Sequence, residues 1–140
     1  MSNFQNSAVN GPCVVLVDDE PHITHMVARK LMQCGYTVHT AMDGEQGLEL
    51  ILETKPDLVV TDLQMPYMSG IELSKRLLSS EKTRDIPVIM LTARGFAIEE
   101  QIKSLENVRS LLSKPFSTRS LVELIGATLT ADDESEGLCA

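Results

Sequence analysis

The stretch Val14–Pro21, VVLVDDEP, runs four apolar residues directly into three acids and a proline. An apolar run this short, bounded by a turn signal, is the pattern of a strand covered on both faces. Asp18, Asp19 and Glu20 then gather charge at the end of a buried element. Adjacent like charges at 4 Å repel by about 4 kcal/mol at an effective dielectric near 20, so this position requires a compensating cation.

Outward from that stretch, short β-type runs alternate with helical periods between residues 13 and 130. Strands are expected at 13–17, 36–40, 57–61, 87–91 and 109–113. Such alternation is the mark of an α/β protein with a parallel sheet and crossover helices. The first helix starts at Pro21, carries Ile23, Met26, Val27, Leu31 and Cys34 on one face, and stops at Gly35. Gly44, Gly47, Leu48 and Ile51 mark the second helix, and Ile71, Leu73, Leu77 and Leu78 the third. Ile98, Ile102 and Leu105 mark the fourth. Ser117 or Thr118 caps the fifth, whose face carries Leu121, Leu124, Ile125, Thr128 and Leu129. Five βα units make one domain at 13–130, between an extension at 1–12 and an acidic flexible tail at 131–140.

Composition narrows the function. The 140 residues are 43% hydrophobic and 23% charged, the balance of an ordinary globular domain. A net charge of −8 with only 12 Lys and Arg argues against nucleic acid. The longest apolar run, Cys13–Val17, is too short to span a bilayer, and the first residues carry no targeting pattern, so a cytoplasmic protein is expected. Cys13, Cys34 and Cys139 are odd in number and widely spaced, which suggests neither a disulfide framework nor a zinc site. Cys13 and Cys34 are expected in the core and Cys139 as a loose thiol.

In open parallel sheets, ligands bind beyond the carboxyl ends of the strands, where the strand order reverses. Asp18, Asp19 and Glu20 follow the first strand, Asp62 the third, Thr92 the fourth and Lys114 the fifth. Clustered carboxylates without His or Cys make a hard-cation site of the kind that holds Mg²⁺. Lys114 and Thr92 add an ammonium and a hydroxyl, so a phosphoryl group would meet all three, with Asp62 as its nucleophilic acceptor. Singly each feature has a plainer explanation: an acid before proline caps a helix, and a lone Thr or Lys after a strand is ordinary. Their order at successive strand ends favours chemistry.

The motifs VDDE, TDLQMPYMSG, LTA and SKPF together resemble the receiver domain of two-component response regulators, over residues 13–130. The resemblance implies a doubly wound, flavodoxin-like (βα)5 fold with strand order 2-1-3-4-5. It implies Asp62 as phosphoacceptor, Asp18 and Asp19 as the acid pair holding Mg²⁺, and the Gln64 carbonyl as a further metal ligand. Thr92 would be the switch hydroxyl, Lys114 the phosphate-contacting lysine, and Pro115 would follow a cis peptide. Met65, Pro66 and Gly70 match the loop after the acceptor, Gly70 allowing a tight turn into the next helix. Gln64 and Arg94 would flank the path of an attacking water and set the phosphate lifetime.

Two positions depart from the family pattern. Leu111 stands where the family usually has Tyr or Phe, and a leucine offers neither the ring nor the hydroxyl of the usual aromatic half of the switch. Asn107 lies where Gly-Ala-Asp-Asp-Tyr is frequent, and a left-handed Asn would preserve that turn. His22 and His25 read as solvated, with a role in kinase docking as the alternative, and His39 as structural.

The expected function is that of a stand-alone phosphoacceptor, not a turnover enzyme. A sensor histidine kinase or histidine phosphotransfer protein would be the donor, and a changed protein contact the output, in a monomer or weak dimer. A phosphorylation-independent docking module and a fragment of a larger regulator remain alternatives. A metal-dependent phosphatase would want a second carboxylate at position 64.

Overall fold

The computed structural model describes residues 11–93 and 102–133. Five parallel strands form one sheet: β1 (Cys13–Val17), β2 (Thr37–Ala41), β3 (Leu58–Asp62), β4 (Val88–Thr92) and β5 (Val108–Ser113), in the order β2-β1-β3-β4-β5. Among the described residues the helices are α1 (Pro21–Gln33), α2 (Gly44–Thr54), α3 (Gly70–Leu78) and α4 (Thr118–Asp133). The doubly wound class and strand order match the expectation.

Strand alternation sends the core to both faces of the sheet. Val14, Leu16, Leu58, Val60, Ile89 and Leu91 pack under Val27 and Leu31 of α1 and Leu121 and Ile125 of α4. Val15, Val17, Val59 and Val88 pack under Ile51 of α2 and Leu73 and Leu77 of α3. Each fully buried Val or Leu contributes roughly 1.5–3 kcal/mol. Removing one of these side chains would therefore cost a sizeable part of the stability.

β1 matches its expected limits. β2, β3 and β4 begin and end one residue later than expected, and β5 starts one residue earlier. Pro87 has no N–H to donate, and only its carbonyl joins the ladder, accepting from Val59 N at 3.0 Å. The shift makes Asp62 and Thr92 the last residues of their strands.

Gly35 ends α1 with φ +96°, a conformation that favours glycine. Met26, expected on the core face of α1, is 48% exposed, and Thr24 and Ala28 are buried there instead. Ser117 caps α4, its Oγ accepting from Ser120 N at 3.0 Å. α4 continues to Asp133, three residues into the stretch expected to be a tail. The rest of that tail, the extension up to residue 10, Ile98 and Arg94 lie outside the described residues. Ile102 and Leu105 are buried as expected.

Asn107 is not left-handed. It is buried, and its side-chain amide donates to the Ser74 carbonyl at 3.1 Å, so a side-chain bond to α3 anchors the approach to β5. Cys34, expected in the core, is half-buried at the C-cap of α1 and packs against the α1–α4 cluster, but contrary to expectation it is disulfide-bonded. Cys13 is half-buried with a free thiol. Three scattered cysteines gave the sequence no pairing signal. Among the described residues, no helix is long and apolar enough to cross a membrane.

Candidate functional site

Strand register brings the polar residues to one edge. Val17 pairs with Thr61, so Asp18 stands level with Asp62 across the point where the strand order reverses. Asp62 pairs with Leu91, and Thr92 pairs with Ser113, which puts Thr92 and then Lys114 one step further along their strands. The Lys114 N–H donates to the Thr92 carbonyl at 2.7 Å and ties the two ends together. The Lys114–Pro115 peptide is cis.

The side chains converge. Asp18, Asp19 and Asp62 each offer a carboxylate oxygen within 4.8 Å of the others. Asp18 and Asp62 are buried and Asp19 is exposed. Lys114 Nζ lies 3.3 Å from Asp18 Oδ2, 3.2 Å from Glu20 Oε1 and 3.4 Å from Asp62 Oδ2. Three acids thus face one ammonium and Asp19 joins two of them, an excess of negative charge that a divalent cation would offset. Two oxygens on one Mg²⁺ sit no more than roughly 4.2 Å apart, twice the metal–oxygen distance. The three carboxylates need to close only slightly, and a set of hard oxygen donors fits that ion.

Glu20 was read from sequence as a plausible helix cap. It occupies the N-cap of α1, yet its side chain caps nothing and turns to Lys114. The local bond runs the other way, from Glu20 N to Asp18 Oδ1 at 3.0 Å, which fixes the Asp18 carboxylate. The third acid of VDDE was the available signal for this pairing.

Burial pushes the Asp62 carboxyl up to about 6, the Asp18 charge adds to the rise, and Lys114 opposes it. Burial also raises Asp18, against the Glu20 N–H bond and Lys114. For Lys114, burial lowers the ammonium's affinity for its proton, but Asp18, Asp62 and Glu20 together outweigh that and raise it. The site therefore resists holding all its negative charge at once.

Gly70 is needed beneath the acceptor because of close approach. It does not carry the positive φ that a tight glycine turn would require. A Cβ there would stand 2.5 Å from the Asp62 carbonyl oxygen and 2.8 Å from Met90 Sδ. Gln64 is exposed two residues beyond Asp62. Leu111 is half-buried against Leu63, Met90 and Ile102. Thr92 is buried at its strand end, while His22 and His25 are exposed and His39 is half-buried.

A family model described as the response regulator receiver domain matches residues 14–126. The phosphate regulon transcriptional regulatory protein PhoB of Pseudomonas aeruginosa is 41% identical over 129 residues, which is 90% of this chain and 56% of that protein. The DNA-binding dual master transcriptional regulator RpaA of Synechocystis is 36% identical over 123 residues, 87% of this chain and 51% of that protein. The chain spans about half the length of these curated relatives. Among solved structures, the Francisella response regulator 1452 receiver domain is similar with a TM-score of 0.77 and 31% identity, covering 87% of this chain and 99% of that one.

Proposed function

This chain belongs to the response regulator receiver domain family, and from that premise we propose that Asp62 is its phosphoacceptor, with Asp18 and Asp19 as ligands for Mg²⁺. Receiver domains take phosphoryl groups from histidine kinases. The observation that carries the reading is the meeting of Asp18, Asp19, Asp62 and Lys114 at the carboxyl ends of β1, β3 and β5.

An Asp62 carboxylate oxygen attacks phosphorus in line with the leaving imidazole of a phosphohistidine. The P–N bond breaks, an acyl phosphate forms, and the imidazole leaves carrying a proton. When bound, Mg²⁺ supplies charge neutralisation at the phosphoryl oxygens. Lys114 supplies a second positive charge and the Thr92 hydroxyl a hydrogen bond. The Gln64 carbonyl serves as a further metal ligand, and the Gln64 side chain governs access of water. Gln64→Ala should change the acyl phosphate half-life several-fold, and an unchanged half-life removes that role.

The output is a changed protein contact. Leu111 favours a coupling route different from a rotating ring, because it already packs with Met90 and Leu63 behind the acceptor. A small phosphodonor such as acetyl phosphate, with Mg²⁺, should add one acid-stable, base-labile phosphate by intact mass. A docking module without the chemistry would gain none.

A further inference from the structure

β2 is an edge strand: among the described residues it pairs with β1 alone. Thr37 N donates to the Pro12 carbonyl at 3.0 Å, and the Ala41 carbonyl accepts from Asp18 N at 3.1 Å. In a parallel ladder alternate residues share one side, so Thr37, His39 and Ala41 bond inward. The N–H and C=O groups of Val38 and Thr40 therefore point to the open side. The strand lacks the devices that close natural edges: TVHTA has no Lys and no Pro, and its register with β1 runs without a bulge.

Val38 and Thr40 also line a groove between this edge and α1. Its apolar part is methionine: Met26, Met32 and Met42 line it, and each is an exposed large apolar side chain. Flexible thioethers gathered on an open surface suit a partner's apolar side chains, because they repack at little cost. The charged part is cationic. Arg29 and Lys30 line the groove, and no Asp or Glu does so among the described residues, in a chain with 20 acids and a net charge of −8. Glu20, at the head of α1, turns away to Lys114.

We propose that this groove takes an extended acidic segment of a partner protein, which joins the sheet as a sixth strand beside β2. Backbone pairing to Val38 and Thr40 supplies the register, and the α1 side supplies the selectivity. Met26, Arg29 and Met32 follow at three-residue steps along α1, so the side chains of the segment that face α1 read apolar, acidic, apolar. A second copy of the chain is a poorer occupant. Pairing β2 with its twin would bring two sets of Arg29 and Lys30 to one interface and join two chains of net charge −8. The groove lies two strands from β3, and the inference stands apart from the phosphoryl chemistry.

The test is fluorescence anisotropy of a labelled heptapeptide, Glu-Leu-Glu-Glu-Glu-Leu-Glu, titrated with the full chain and no phosphodonor. Saturable binding should weaken at least about tenfold when Lys replaces every Glu of the peptide, and again with the wild-type peptide on the double variant Arg29→Glu, Lys30→Glu. Met32→Gln, at an exposed position, should also weaken it, with urea midpoints confirming that each variant is folded. N-methylation of one alternate set of peptide amides should abolish binding, and methylation of the other set should spare it, because one edge of an added strand faces β2. Hydrogen exchange at the Val38 and Thr40 amides should slow at least about tenfold in the complex. The absence of saturable binding, equal binding of the lysine peptide, undiminished binding of both methylated forms, or a wild-type dimer that Thr40→Pro dissociates overturns the proposal.

Discussion

Lys114 Nζ lies 3.4 Å from Asp62 Oδ2 and 3.3 Å from Asp18 Oδ2, so a single ammonium carried beyond β5 bridges the ends of β1 and β3. Removing one partner of such a cluster leaves buried charge uncompensated. Lys114→Met should destabilise the metal-free protein by about 1–3 kcal/mol at neutral pH, read by urea denaturation. It should also slow phosphoryl uptake from acetyl phosphate. Unaltered stability and labelling would show that the ammonium only decorates the site.

Asp62 gives the opposite sign. Its native carboxyl is raised from 3.8 to about 6, so between those values the folded state keeps a proton that the unfolded chain has lost. Stability contributed by this group is present below pH 4 and falls as pH rises towards 6. The full cost is at most about 3 kcal/mol at roughly 1.4 kcal/mol per pH unit. In chelator, Asp62→Asn should be about 1–3 kcal/mol more stable than wild type at pH 7, and the difference should shrink by pH 4. Equal urea midpoints at pH 7 would contradict this account of the charge.

Magnesium should stabilise the folded chain by mass action, by about 2.7 kcal/mol at a hundredfold excess over its dissociation constant. The thermal midpoint should rise by several degrees on adding the ion and fall again with EDTA. Asp18→Asn should abolish most of the rise, because Asp18 is a buried donor of the carboxylate cluster. A full magnesium response in that variant would place the ion elsewhere.

Gly70→Ala tests the packing under the acceptor. Its Cβ would meet the Asp62 carbonyl oxygen at 2.5 Å, backbone that cannot swing away. Overpacking of this kind costs roughly 1–3 kcal/mol. The shift of β3 should also reduce labelling of Asp62. A variant as stable and as active as wild type would mean the loop relaxes freely.

Much of this was legible in the sequence because it rests on period and order. Continuous apolar runs such as VVLV and VIML mark buried strands, and parallel strands ending at one edge bring Asp18, Asp62, Thr92 and Lys114 together. What stayed hidden depends on distances across the chain. Nothing local shows that Glu20 turns to Lys114 instead of capping α1, or that Asn107 bonds to Ser74 instead of adopting a left-handed turn. Likewise the pattern at Gly70 shows a glycine but not the Asp62 carbonyl pressed against it. Met26 fitted the helical period, yet it lies beyond the stripe that Val27, Ala28 and Leu31 bury.

The most direct measurement is chemical trapping of the phosphorylated residue. The chain is treated with acetyl phosphate and Mg²⁺, reduced with borohydride, and mapped by peptide mass. An acyl phosphate on Asp62 is reduced to homoserine, so homoserine at position 62, absent without Mg²⁺ and absent in Asp62→Asn, is the predicted result. Homoserine at another acid, or none anywhere while the protein remains folded, would contradict the assignment of Asp62 as acceptor.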